Sequence, residues 1–126
     1  MGTRIFLGLT GLGWFGYGLF CLLQPEQMAS ITGLATQTAF AVTELRTMYG
    51  GVQMAIGLVA LYGALKPAST RWALQFQTVI YLGLAPTRTL SALATGDMSS
   101  YTLGGIGFES VCLIIALLLL RRAPQA

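Results

Sequence analysis

Residues 44–51 read Glu44-Leu45-Arg46-Thr47-Met48-Tyr49-Gly50-Gly51 and place two charges and two adjacent glycines at the start of an apolar segment. An ionised side chain this close to a hydrocarbon-like segment needs a partner, because charge is costly to bury in lipid. The rest of the chain is therefore interpreted as the helices that surround this stretch and supply partners for it.

Composition outside this stretch indicates a membrane protein. Of the 126 residues, 55% are hydrophobic and 9% are charged, and the mean hydropathy is +0.71, whereas soluble domains carry about 25% charged residues. The length allows about four spans of roughly 20 residues each. We expect one integral membrane domain over residues 1–126. Its few Lys and Arg form no basic face, so nucleic acid is not an expected partner.

Charge-free apolar runs predict an all-α fold, a bundle of four transmembrane helices. The predicted spans cover about residues 5–23, 42–65, 71–94 and 101–120, each long enough to cross a hydrocarbon core of about 30 Å. No Ala-x-Ala site follows the first run, so it is interpreted as an uncleaved span rather than a signal peptide. Apolar residues at helical spacing in the first external loop predict a short helix along the membrane interface; they are Met28, Ile31 and Leu34.

The cations predict the orientation of these spans. With four crossings, one side carries Arg4, Lys66, Arg71, Arg121 and Arg122, and the opposite connections carry Glu26 and Asp97 without any Lys or Arg. The positive-inside rule makes the first side cytoplasmic. The sequence therefore predicts a multi-pass protein of the bacterial inner (plasma) membrane with both termini in the cytoplasm.

Four ionisable residues fall within the predicted spans: Glu44, Arg46, Arg88 and Glu109. Counted from the external ends at 1.5 Å per residue, the last three lie about 6, 9 and 12 Å deep. Two cations and two carboxylates balance, which favours a neutralised cluster in the outer half of the bundle. The expected partner of Glu109 is Arg88 or Arg46, because guanidinium binds carboxylate through two parallel hydrogen bonds.

Helical spacing indicates which residues lie next to these charges. Arg46 shares an arc of the second span with Gln53 and two glycines, while Glu44 points to nearly the opposite side and is assigned to the helix N-terminus, where the macrodipole favours a carboxylate. The candidate ligand-binding or structural charge cluster is Arg46, Tyr49, Gln53, Gln77, Tyr81, Arg88 and Glu109. The candidate helix-packing residues are Gly50, Gly51, Gly57 and Gly105. Trp14 falls in the middle of the first span and is expected to pack inside.

Three interpretations of the charge cluster remain open. An Arg–Glu pair can serve only to fix helix register. Alternatively, Arg46 and Arg88 bind an anionic or carbonyl-bearing ligand, with Glu109 as counter-charge. In the third, Glu109 is a general acid or base beside Tyr49 or Tyr81. The chain has no histidine and two cysteines, so we expect no metal and no cofactor.

The residues Glu44-x-Arg46-x-x-Tyr49-Gly50-Gly51, followed by Arg88, Glu109 and a last span that ends in Arg121-Arg122, resemble a family of small bacterial four-span membrane proteins that is known as a domain of unknown function. The resemblance covers nearly the whole chain. It implies four membrane helices and points to the motif residues, Arg88 and Glu109, but it implies no activity.

The expected function follows from small size, glycine-rich faces and an incomplete catalytic set. We expect an accessory or assembly subunit of a larger membrane complex, or a homo-oligomer, in contact with membrane lipid. The alternative is a binder of a lipid or small amphiphilic ligand in an outer-half pocket lined by Arg46, Arg88 and Glu109. The second alternative is an intramembrane acid/base enzyme that uses Glu109. The sequence does not decide whether the protein is an enzyme and favours a non-catalytic role.

Overall fold

A computed structural model shows the fold and describes residues 1–122. In this range the chain forms helices and no strand. The helices are α1 (Gly2–Leu23), α2 (Pro25–Thr32), α3 (Ala39–Leu65), α4 (Thr70–Thr95) and α5 (Ser100–Arg122), with a short 3-10 turn at Pro67–Ser69. The all-helical prediction is confirmed. The predicted domain extended to residue 126, and residues 123–126 lie outside the described range.

The four long helices alternate in direction. Near the start of α1, Arg4 Nε donates a hydrogen bond of 2.6 Å to the Ala64 carbonyl oxygen at the end of α3. Near the other end of α1, the hydroxyl of Tyr17 is hydrogen-bonded to that of Tyr101 at the start of α5. Helix α1 packs on α3, α3 on α4, and α4 on α5. We call the end that holds residues 1 and 122 the terminal end, and the opposite end the loop end.

Three helices, α1, α3 and α5, are long and apolar enough to cross a membrane. Large apolar residues such as Leu9, Leu58 and Val111 are exposed on the outside of the bundle, while Gln77 and Glu109 are buried inside it. This distribution is the one expected where the surroundings are lipid. Helix α4 is not among the three candidate spans, because polar side chains such as Gln75, Gln77 and Arg88 lower its hydropathy. Three of the four predicted spans thus correspond to helices that are long and apolar enough to cross a membrane.

Helices α1 and α3 approach each other closely where glycines face the partner backbone. A Cβ on Gly18 would lie 2.6 Å from the Met54 nitrogen, and a Cβ on Gly57 would lie 2.5 Å from the Phe15 nitrogen. Backbone atoms cannot move aside as a flexible side chain can, so these positions require hydrogen in place of a side chain.

Of the expected packing glycines on α3, Gly50 and Gly57 lie at this contact, whereas Gly51 does not. Gly51 is exposed, and a Cβ there would have no neighbour within 4 Å. Its assignment to helix packing is therefore corrected.

The conformation of α3 changes within the stretch of residues 44–51. Residues Leu45–Gly51 form a π-helix between two α-helical parts. A π-helix pairs residue i with i+5 and so contains one residue more than the same length of α-helix. The part of α3 before it is rotated by one residue position, or about 100°. As a result Leu45 is buried and Arg46 is exposed, and the predicted inward orientation of Arg46, which assumed an uninterrupted α-helix, is corrected.

The start of α3 also differs from the prediction. The Thr38 hydroxyl oxygen accepts a hydrogen bond from the Ala41 amide and caps the helix, as threonine commonly does. The helix thus begins at Ala39, and Glu44 lies more than a turn beyond its first residue. Glu44 is exposed and does not serve the helix N-terminus as expected.

Candidate functional site

A cavity of about 510 Å³ lies between the α1–α3 pair and the α4–α5 pair, in the half of the bundle towards the loop end. Aromatic side chains and glycines form most of its wall. Its lining consists of Gly13, Trp14, Tyr17, Tyr49, Gln53, Leu84, Arg88, Ser100, Tyr101, Gly104, Gly105, Phe108 and Glu109. Arg88 and Glu109 are its charged members, so the formal charge of the lining is zero.

Arg88 of α4 and Glu109 of α5 form a two-point ion pair in this wall. Arg88 Nη2 donates to Glu109 Oε1 over 2.6 Å, and Arg88 Nε donates to Oε2 over 2.9 Å. The Glu109 side chain is 3% exposed and that of Arg88 is 31% exposed. Nη1 makes no hydrogen bond to any residue in the range 1–122. The pair carries no net charge, and Arg88 keeps N–H donors that the pair does not use.

Gly105 provides the space that this pair occupies. A Cβ on Gly105 would lie 2.9 Å from Arg88 Nε and 3.1 Å from Cδ. The arginine side chain therefore lies directly against the α5 backbone on its way to Glu109, one turn further along the same helix. Sequence analysis assigned Gly105 to helix packing. In the structure the group that packs on it is the Arg88 side chain.

Hydrogen bonds between aromatic residues hold the other walls. Trp14 Nε1 donates to the Tyr81 hydroxyl oxygen over 2.9 Å, which joins α1 to α4 at the floor of the cavity. The hydroxyls of Tyr17 and Tyr101 are 2.5 Å apart and join α1 to α5 nearer the loop end. The ring of Phe108 packs edge-on against Trp14, with centroids 6.3 Å apart. These contacts orient the rings towards the cavity and leave its centre to another molecule.

The structure brings together part of the predicted cluster: Tyr49, Gln53, Arg88 and Glu109 line the cavity. Arg46 does not, since the π-helix turns it to the exposed surface. It forms no ion pair or hydrogen bond with any residue that the structure describes. Of the three residues predicted to line the pocket, Arg46, Arg88 and Glu109, the last two line the cavity and Arg46 does not.

Gln77 and Tyr81 share the inward stripe of α4 with Arg88 but lie deeper. They are about 16 Å and 10 Å from Arg88 along the helix axis, and neither lines the cavity. Tyr81 supports the floor through Trp14, and Gln77 is fully buried with no hydrogen-bond partner for either amide atom. Gln77 and Tyr81 thus share an inward face of α4 with Arg88, but the cavity lies against only the part of that face nearer the loop end.

Sequence analysis missed the aromatic residues of the site. It placed Trp14 inside the bundle without a role, and it did not consider Tyr17, Tyr101 or Phe108. A signal was present on α5, where Tyr101, Gly105, Phe108 and Glu109 recur at intervals of four, three and one residue and so share one side of a helix.

A second cavity of about 370 Å³ lies on the other side of Arg88, between α4 and α5. Its lining includes Thr87, Ser91 and Asp97. Asp97 precedes α5 and accepts hydrogen bonds from Thr102 Oγ1 over 2.6 Å and from the Ser99 amide over 3.0 Å. These bonds favour the ionised carboxylate and hold the pKa of Asp97 below its usual range.

Gln53, one of the residues that line the first cavity, carries an unpaired buried acceptor. Gln53 Oε1 is buried and has no donor within the described residues. Such an atom is costly to leave without a hydrogen bond. Among residues 1–122 no group of His, Cys, Asp and Glu side chains could hold a metal ion. The arrangement is suited to hold an organic molecule whose polar head meets Arg88 and whose apolar part contacts the rings.

Comparison with known proteins identifies one family. The model of the family described as Domain of unknown function (DUF4345) matches residues 2–120. This range includes α1, α3 and α4, all of α5 except its last two residues, and every residue that lines the cavity, and it agrees with the resemblance to a domain of unknown function. No curated protein and no solved structure matches the chain.

Proposed function

The chain belongs to the DUF4345 family, and we propose that it binds a membrane lipid or another small amphiphile in the cavity between α1, α3, α4 and α5. One observation carries this proposal. The wall of a cavity of about 510 Å³ is apolar except for a few polar groups, and Arg88 of its charged pair keeps Nη1 without a hydrogen bond to any residue in the range 1–122. Ligand sites commonly have about 300–1,000 Å³, mostly apolar walls and a small number of placed polar groups.

The position of the ion pair favours this function over a role in helix register alone. A pair that only fixes register is expected to be packed on all sides, because contact with other side chains gives the specificity. Arg88 and Glu109 instead both contribute to the wall of a cavity, and 31% of the Arg88 side chain is exposed.

The geometry also favours binding over acid–base catalysis. Both carboxylate oxygens of Glu109 accept hydrogen bonds from Arg88, and the Tyr81 hydroxyl is bonded to Trp14. Neither group is placed to exchange a proton with the other. The expected role as accessory or assembly subunit stays a prediction.

We propose that α4 crosses the membrane together with the three apolar helices. Its outward side chains are large and apolar, with Val79, Leu90 and Leu93 each at least 66% exposed. Its polar side chains Gln77 and Arg88 face the other helices. The alternating helices put the basic residues of the connections at the terminal end, which the positive-inside rule makes cytoplasmic. The cavity then lies in the outer half of a bacterial inner membrane.

Native mass spectrometry of the full chain in mild detergent tests the proposal. The wild-type protein is expected to carry a copurified lipid or amphiphile. The variant Arg88→Met/Glu109→Leu removes both charges together, which for buried pairs is often neutral for stability. It should therefore keep its thermal unfolding temperature and lose the ligand. Arg46→Gln is the matched control, because it removes an arginine outside the cavity, and it should keep the ligand. Equal occupancy in the double variant and the wild type would overturn the proposal.

A further inference from the structure

We propose that the cavity takes its ligand from the lipid phase, through an opening between α1 and α5 whose two sides are Gly13 and Gly104, and that an alkyl chain of the ligand occupies this opening. The inference rests on the proposed function and names the route of entry and the part of the ligand that lies in it. It follows from three features: which lining residues are exposed, how the two glycines face each other, and what covers the loop end.

The exposed residues of the cavity lining all belong to α1 and α5. The lining residues of α3 and α4 are half-buried. The backbones of α1 and α5 also make little contact with each other, in contrast to the α1–α3 and α4–α5 pairs. The cavity therefore opens sideways, between α1 and α5. The exposed lining residues are Gly13, Ser100, Gly104 and Phe108.

Gly13 and Gly104 lie opposite each other across this gap. The hydroxyls of Tyr17 and Tyr101 are hydrogen-bonded, so these two side chains meet between α1 and α5. Gly13 is four residues from Tyr17 and Gly104 is three residues from Tyr101, both in the direction away from the loop end. Each glycine thus shares a side of its helix with the tyrosine and lies about 5–6 Å deeper. A Cβ on either glycine would have no heavy atom within 4 Å, so the gap is unfilled at this depth.

Aromatic contacts bound the gap at both ends. The tyrosine pair closes it towards the loop end, and the ring of Phe108, one turn beyond Gly104, closes it further down by packing edge-on against Trp14. We call the opening between these two contacts the window, and it spans about 10 Å along α5. Leu12 and Leu103, the neighbours of the two glycines in the chain, are 63% and 50% exposed. The surroundings of the window are therefore apolar, which suits an alkyl chain.

Helix α2 covers the loop end of the cavity. Its residues Met28 and Ala29 are buried in an apolar cluster with Cys21 and Leu45. This layer separates the cavity from water at the loop end, so the window favours a molecule that is already dissolved in the membrane. Three residues of the cavity wall pack against the cluster from below: Tyr17, Tyr49 and Tyr101.

The test measures contact between acyl chains and Trp14, which forms part of the cavity wall. The full chain carries Trp72→Phe, so that Trp14 is its one tryptophan, and is placed in nanodiscs of phosphatidylcholine with brominated acyl chains. Bromine on a chain quenches tryptophan fluorescence at short range, and iodide does so from water. The brominated chains are expected to quench Trp14 strongly, although its side chain is 8% exposed, whereas iodide should quench it little.

Two leucine variants test whether the window is the route. Gly13→Leu/Gly104→Leu places side chains in the window and should remove most of the quenching by brominated chains. In native mass spectrometry its copurified ligand should fall about tenfold, the ratio expected when two methylene groups of the chain lose their burial. Gly16→Leu/Gly107→Leu is the matched control and should behave as the wild type. Both of its positions are exposed and open on the same two helices, and neither lines the cavity.

The results that contradict the inference differ from the one that contradicts the proposed function. Iodide quenching as strong as that by brominated chains would mean that the cavity opens to water. Equal quenching and equal ligand occupancy in the two leucine variants would mean that the window is not the route. Either result overturns the inference, and the proposed function stands as long as the wild type carries a ligand that Arg88→Met/Glu109→Leu loses.

Equal ligand occupancy in the wild type and in Arg88→Met/Glu109→Leu overturns the proposed function itself. If Gly13→Leu/Gly104→Leu does not fold, Gly104→Leu alone, compared with Gly107→Leu, makes the same comparison on α5. The contrast between iodide and brominated chains requires no substitution in the window and decides in any case whether the cavity opens to lipid or to water.

Discussion

The side chain of Arg88 lies across the backbone of Gly105, with Nε 2.9 Å from the point that a Cβ on Gly105 would occupy. The same Nε donates to Glu109 Oε2 over 2.9 Å. The ion pair and the missing side chain are thus parts of one arrangement. Glycine at this position lets the guanidinium approach α5 closely enough to bind a carboxylate one turn away.

Gly105→Ala is expected to weaken this ion pair. The methyl group displaces Nε and removes about one hydrogen bond, so stability should fall by about 1–2 kcal/mol, and ligand occupancy in native mass spectrometry should fall about tenfold. Gly107→Ala is the control, because a Cβ there has no neighbour within 4 Å. If both variants behave alike, the contact between Arg88 and Gly105 does not matter.

Arg88→Gln should destabilise the protein strongly, since it leaves the buried Glu109 carboxylate without its partner. The loss expected for a broken buried pair is about 3 kcal/mol, measured by unfolding in mixed micelles of mild detergent and SDS. Arg46→Gln removes an exposed arginine and should change stability by less than about 0.5 kcal/mol. Similar losses in the two variants would mean that Arg46 has a buried partner after all.

Gly57→Ala is expected to separate α1 from α3. The new Cβ would meet the Phe15 nitrogen and the Gly11 carbonyl oxygen, at 2.5 Å and 2.7 Å, and backbone atoms must move to admit it. We expect a loss of about 2–3 kcal/mol in the same unfolding experiment. Gly51→Ala is the matched substitution at an open position and should be neutral or more stable by up to about 1 kcal/mol. A neutral Gly57→Ala would show that the helices are not in close contact there.

Cysteine labelling measures the register of α3. In a protein with both native cysteines replaced by alanine, Arg46→Cys should react with a maleimide about tenfold or more faster than Leu45→Cys, because a thiol must be exposed to react. The opposite order would indicate the uninterrupted α-helix of the sequence prediction.

Thr102→Val should raise the pKa of Asp97 towards its ordinary value of 3.8, since it removes the hydroxyl that donates to Oδ2. The folded-state pKa of Asp97 lies below the unfolded value. Its contribution to stability is therefore present at neutral pH and is lost as the pH falls through the folded-state pKa. A carboxyl-selective NMR titration measures the shift. An unchanged pKa in the variant would show that the Thr102 hydroxyl does not stabilise the carboxylate.

Helix content could be predicted because it depends on local composition and on a constant period of 3.6 residues. The pairing of Glu109 with an arginine followed from charge balance, which left Arg46 and Arg88 as alternatives. The choice between them depended on whether α3 keeps α-helical geometry through Leu45–Gly51. Each residue there is compatible with an α-helix, so residue types alone gave no reason to place a π-helix.

The contacts between the aromatic residues of the cavity wall could not be predicted from the sequence either. Trp14 and Tyr81 are 67 residues apart in sequence, and Tyr17 and Tyr101 are 84 apart. Their hydrogen bonds depend on how far each helix is shifted along its neighbours, which no pattern within a single helix specifies.

The sequence by itself determined that residues 44–51 belong to an apolar helix, that the chain is helical and suited to a membrane, and that Glu109 needs a cation. These properties follow from composition, spacing and charge within single helices. Only the tertiary structure decided that Arg88 is this cation and that Arg46 faces outward. It also decided that a cavity whose lining has no net charge forms between the two helix pairs. The physical reason is that one extra residue in a π-helix rotates a whole face, and that a cavity depends on the relative positions of helices distant in sequence.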